Sequence, residues 1–174
     1  MRYIVIALSV VAAAITAPAT AQDEPTRSPE LQVLDQFVGT WDLHVTHKPA
    51  QGDANTEKTS EIRKWSIGGE FVHFENPKTE NPDAPEFHML LTYDARTKSY
   101  PGILTTGPNR SLVDGVWDGK SKTMTFTGTF SGGGTLDFKN QFLDNGNIKA
   151  AGVIKDASGK IVLERLDMQV RRKK

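Results

Sequence analysis

The 174 residues contain no cysteine. That excludes disulfides, thiol catalysis and zinc–thiolate sites, so stability has to come from packing. Neither charge is in excess: 21 Lys and Arg face 21 Asp and Glu. No basic face is implied, and nucleic acid is not an expected partner. The one charge run, Arg171-Arg172-Lys173-Lys174, reads as a solvated tail. There is no nucleophile elbow, no close carboxylate pair, and no glycine loop leading into a helix: Gly132-Gly133-Gly134 is a turn. The four histidines, His44, His47, His73 and His88, lack metal spacing. His47 is the best placed of them to hold a haem, but a lone histidine is weak evidence for ligation. No metal and no cofactor are expected.

Long apolar runs are scarce too. The one candidate is Tyr3 to Ile15, shorter than the roughly 20 residues of a membrane span. Met1-Arg2 before it and Ala19-Thr20-Ala21 after it have the basic start and the small-x-small pattern of a cleaved export signal. Residues 1–21 are therefore expected to be a signal peptide, with Gln22 as the first mature residue. Without a cysteine, no lipid anchor can follow. The expected location is periplasmic or secreted, with no stable membrane insertion after cleavage.

What remains is mostly strand. Residues 22–33 form a polar segment and the start of a helix. Ser28-Pro29-Glu30 supplies a capping hydroxyl, a first-turn proline and an acid. Leu31, Leu34, Phe37 and Val38 share its apolar face. From Trp41 the period changes to two, with Trp41, Leu43 and Val45 on one parity. Lys48 to Thr56 reads as a loop, Thr59 to Ile67 as a strand, and Gly68-Gly69 as a hairpin turn. That turn sets Trp65 opposite Val72 and Arg63 opposite Phe74. Asn76 to Pro85 is the longest irregular loop, a candidate lid. The turns Asp94–Lys98 and Asp118–Lys122 echo each other, each after an aromatic residue. Further alternating runs are separated by Gly107-Pro108, Gly132–Gly134, Asn145-Gly146 and Ser158-Gly159.

This pattern predicts an all-β fold: a single antiparallel up-and-down barrel of about ten strands over 34–174, one end plugged by the short helix. Closure also removes the exposed edges that a long meander would leave.

Gly39-x-Trp41, the helix before it, the meander and the basic last strand resemble the calycins, the superfamily of lipocalins and fatty-acid-binding proteins. The resemblance implies an apolar ligand in the barrel and a last-strand arginine, here Arg172 or Arg171, packed across Trp41. More closely, four stretches resemble the bacterial DUF1579 family, which implies no known activity. They are Leu34 to Trp41, Ile67 to Phe71, Tyr93-Asp94 to Tyr100, and Gly115 to Asp118.

Turn lengths suggest a register, because a one-residue slip turns a strand inside out. Three-residue turns at Gly132–Gly134, Asn145–Asn147 and Ala157–Gly159 would pair Phe126 with Asn140, Asn140 with Gly152, and Gly152 with Glu164. The expected interior row is Tyr93, Tyr100, Gly115, Phe126, Asn140, Gly152, Glu164. Asn140 and Glu164 are its polar members, and a lone buried carboxylate is very costly. Either the two satisfy each other or an arginine in a filled core, or they form a hydrogen-bonding floor for a ligand. Arg63 would be a cation for a ligand carboxylate, or a rim group in water.

The expected function is to bind a small apolar or amphipathic molecule inside the barrel, through Arg63, Tyr93, Tyr100, Phe126, Asn140 and Glu164. The alternatives are a filled-core protein docking partners through its rim loops, and an enzyme with Glu164 as general base.

Overall fold

The structure is a computed structural model that describes residues 27–76 and 86–173. The expected export signal and most of the expected lid loop lie outside them. Ser28 accepts a hydrogen bond from the Leu31 N–H and opens a one-turn helix, α1 (Pro29–Gln32), as the cap and first-turn proline predict. A 3-10 turn over Val33–Gln36 continues it. Ten strands follow: β1 (Gly39–Pro49), β2 (Asn55–Ser66), β3 (Phe71–Glu75), β4 (Phe87–Leu91), β5 (Tyr100–Thr106), β6 (Asn109–Asp118), β7 (Thr123–Phe130), β8 (Thr135–Phe142), β9 (Ile148–Lys155) and β10 (Val162–Arg172). Each pairs antiparallel with the next, and β10 closes onto β1. The fold is thus the expected closed up-and-down barrel. Among the described residues no helix is long and apolar enough to cross a membrane.

One end is plugged. The 3-10 turn delivers Phe37 into the barrel, its ring 4.8 Å from Phe142 edge-on and 5.5 Å from Phe74. Leu34, Phe37 and Trp41 are all buried. Polar ties hold the plug: the Tyr100 hydroxyl donates to the Glu30 carbonyl at 2.9 Å and the Trp65 indole N–H to Asp35 at 2.8 Å. The echoed turns also match in detail. Asp94 and Asp118 each accept the backbone N–H two residues on, and Lys98 and Lys122 both take positive φ.

Four registers follow the sequence: Trp65 with Val72, Arg63 with Phe74, Tyr100 with Gly115, and Gly115 with Phe126. Three do not. Phe126 pairs with Phe138 rather than Asn140, Asn140 with Ala150 rather than Gly152, and Gly152 with Leu166 rather than Glu164. The first two turns do have three-residue loops, at 131–133 and 144–146, one residue earlier than expected. Each ends on a positive-φ glycine, Gly133 or Gly146, which is where a three-residue hairpin needs its left-handed residue. In the third, the Asp156 carboxylate accepts the backbone N–H of Lys160 and Ile161 and holds a longer loop, with a bulge after Val162. The region expected as a loop over Lys48–Thr56 is also shorter, since β1 runs to Pro49 and β2 starts at Asn55.

Each slip amounts to two residues, so every side chain keeps its face while changing its row. The corrected row is Tyr100, Gly115, Phe126, Phe138, Gly152, Leu166, His47. Gly115 and Gly152 are empty places in the wall. A Cβ at Gly115 would sit 2.7 Å from the Phe126 ring, and one at Gly152 would overlap Phe138. The large rings therefore lie back against the wall.

Candidate functional site

Three polar sites stand out on the inward positions of the described residues, besides the small hydroxyl of Ser111. The deepest is on β2. Arg63 and Glu61 are two residues apart, so both point inward, at 5% and 7% exposure. The Arg63 Nε and Nη2 both reach Glu61 Oε2 at 2.8 Å. The guanidinium lies 5.0 Å from the Phe74 ring and 5.1 Å from the Trp41 ring. Burial pulls the Arg63 pKa below its usual value, and the Glu61 carboxylate works against that. Arg63 Nη1 is buried and has no hydrogen-bond partner among the described residues. Across Trp41 lies a second guanidinium, Arg172, 4.4 Å from the ring, donating to the Val38 carbonyl at 2.6 Å. Gly39 makes room for it: a Cβ there would be 2.7 Å from Arg172 Nη1.

The second group is Asn140, 7% exposed between Met124 and Ala150. Its side chain makes no hydrogen bond among the described residues. The third is at the unplugged end. Glu164 meets neither Asn140 nor an arginine; its Oε1 lies 2.6 Å from His47 Nδ1. His47 Nε2 is 3.3 Å from Glu57. Burial alone would lower the His47 pKa, but the hydrogen bonds to Glu164 and Glu57 outweigh it and hold the pKa above the usual histidine value.

This bridge has a signed pH dependence. Because its pKa is raised on folding, protonated His47 stabilises the fold fully below the unfolded value of about 6.5. That contribution is lost as pH rises through the folded value. Burial lowers the His73 pKa and gives the opposite slope, so the informative quantity is a difference between variants. The melting temperature of wild type minus that of His47→Gln should fall as pH rises from the acid side of 6.5 to mildly alkaline. A difference that is flat in pH would mean His47 is not held charged between its two carboxylates.

The residues expected to share one row are thus divided. Tyr93, Tyr100 and Phe126 serve the plugged end. The two tyrosine rings are 5.1 Å apart, and burial pushes the Tyr100 pKa up to about 12. Arg63 is inside, not on a rim, with Glu61 as a partner that the sequence reading missed although the i, i+2 spacing on a strand shows it. Glu164 stands at the open end with His47.

Two surface concavities, of about 310 and 460 Å³, lie on the outer wall. Exposed outward residues such as Lys139 and Arg165, or Asp114 and Thr127, line them, and neither includes Arg63, Asn140 or Glu164. They are grooves between strands whose floors include Phe138, Gly152 and Leu166, or Val113, Gly128 and Leu136. On the inward face a cross-strand row runs from Arg63 through Phe74, Met89, Leu104 and Ser111 to Phe130, beside the open-end turn. Met89, Leu104 and Phe130 on it are only partly buried.

Known structures share this barrel. Rv2717c from M. tuberculosis superposes with a TM-score of 0.64 at 13% identity, over 84% of this chain and 99% of that one. The S-type phycobiliprotein lyase CPES from Guillardia theta does so with a TM-score of 0.59 at 11% identity, over 82% and 92%. Both are calycin-like barrels, and at these identities the likeness is one of fold. No curated protein matches the sequence at a significant level. The family model described as "Protein of unknown function (DUF1579)" does match, over residues 26–149, from the plug helix and Trp41 past the eighth strand, and the chain belongs to that family.

Proposed function

We propose that the protein is exported and binds a small amphipathic molecule carrying an acidic head group inside its barrel. The observation that carries this reading is Arg63 Nη1, a cationic donor buried in the interior with no hydrogen-bond partner among the described residues. A buried donor left unpaired costs about 1–3 kcal/mol, more for a charged group. A carboxylate entering beside Glu61 would remove that cost with a charge-assisted hydrogen bond. The partly exposed apolar side chains Met89, Leu104 and Phe130 would line its tail. Asn140 offers a second polar contact. The barrel shared with a phycobiliprotein lyase supports a small-molecule role only at the level of fold.

The test uses protein expressed with its leader and recovered outside the cytoplasm with Gln22 as first residue. Dodecanoate and dodecanol are titrated against tryptophan fluorescence. Wild type should bind dodecanoate saturably. The Glu61→Leu, Arg63→Met double variant, which strands no buried charge, should weaken dodecanoate about 10- to 100-fold, the worth of a hydrogen bond to a charged group, and leave dodecanol nearly unchanged. Equal weakening of both, or no saturable binding of either, would count against the interior acid site.

A further inference from the structure

We propose that His73, Glu75 and His88 form a binding site for a divalent transition ion of the zinc class on the outer face of the β3–β4 pair. This site is on the far side of the wall from the interior and independent of any ligand there. Alternation along β3 turns His73 and Glu75 outward, since Val72 and Phe74 point in and are buried. On β4, His88 lies directly opposite Glu75. Three ligating residue types therefore occupy neighbouring places on one face of a rigid antiparallel pair.

The geometry suits an ion. His73 Nε2 and His88 Nδ1 share a hydrogen bond at 3.2 Å, with the rings near parallel at 10°, and an ion would take the place of the proton between them. Zinc–imidazole bonds of about 2.0–2.1 Å at tetrahedral angles set two nitrogens about 3.3 Å apart. One potential ligand atom from each of the three residues lies within 4.8 Å of the other two. Closing the carboxylate onto the ion is a side-chain rotation at a half-exposed position. Lys64 takes Glu75 Oε1 at 2.6 Å, while Oε2 stands 3.7 Å from the His73 ring. Glu86 lies 3.9 Å from His88 Nε2, where a carboxylate would orient the imidazole and raise its basicity. His88 is the most exposed, with 44% of its side chain open to water. An ion can enter without rearranging the fold, and a water would complete four-coordination. Two imidazoles and one carboxylate favour zinc, copper or nickel over magnesium or calcium.

The sequence alone hides this set. His73 and His88 are 15 positions apart in the sequence, and only the β3–β4 register joins them.

The experiment is calorimetric titration of untagged mature protein with zinc chloride near neutral pH. One ion per chain should bind. His73→Ala and His88→Ala should each weaken it at least tenfold, and Glu86→Gln about tenfold, as orienting carboxylates do. His47→Ala should leave the affinity unchanged. Cobalt(II) gives a second readout: intense visible absorption bands of tetrahedral cobalt in wild type, lost in His88→Ala. The proposal is overturned if zinc shows no saturable binding, or if His73→Ala and His88→Ala, with wild-type circular dichroism, bind it as tightly as wild type.

Discussion

Replacing Trp41 with alanine should cost about 3–5 kcal/mol of stability in urea unfolding, in the range of other large core truncations. The indole is fully buried and its N–H donates to the Phe37 carbonyl at 2.7 Å. It separates two guanidiniums, Arg63 at 5.1 Å and Arg172 at 4.4 Å from its ring. Removing it opens a cavity and leaves the Phe37 carbonyl unpaired. It also takes away the ring face that both cations rest on. Trp41→Phe should lose less, since it keeps a ring and gives up the N–H. Arg172→Met should cost less still, because Arg172 acts at the surface through its bonds to Val38 and Gln36. A Trp41→Ala protein within about 1 kcal/mol of wild type, against that 3–5 kcal/mol range, would show that Trp41 does not hold the plug.

Removing one partner of the Glu61–Arg63 pair should be nearly as damaging, and removing both should not be. Glu61→Ala strands a buried cation and should cost about 3–5 kcal/mol, whereas replacing a buried pair with apolar residues of similar volume is often neutral or stabilising by about 1–4 kcal/mol. The Glu61→Leu, Arg63→Met double variant is therefore expected near wild type or above it in urea unfolding. The reason lies in the pair's geometry: both Arg63 contacts go to one Glu61 oxygen while Nη1 stays unpaired. Desolvation is nearly complete and its compensation is partial. Retaining such a pair fits a site kept for an incoming acid rather than for stability. A double variant as unstable as Glu61→Ala would mean that the pair itself holds the barrel together.

These variants act at positions whose facing was legible from the sequence while their partners were not. Alternation along β2 puts Arg63 on the same face as Trp65, and the Gly68-Gly69 turn puts Arg63 opposite Phe74. Nothing local shows that Arg63 ends beneath Trp41, because that depends on β1 packing against β2 and on the helix closing the end. Glu164 shows the same division. Its inward face follows from period two, but its partner, His47, lies 117 positions away and meets it only because β10 closes onto β1.

The sequence by itself determined the class of fold, the number of strands, the capped helix before Gly39 and Trp41, and which face each side chain takes. All of these follow from short-range rules: alternation, turn residues and a helix cap. Tertiary structure alone decided which inward residues share a row. It placed Phe138 where Asn140 was expected and Leu166 where Glu164 was, and it brought His73, Glu75 and His88 together. Cross-strand neighbours depend on where each turn places its positive-φ glycine and how many residues it spends. A turn that closes one residue early moves every partner on the next strand by two places while leaving every face unchanged.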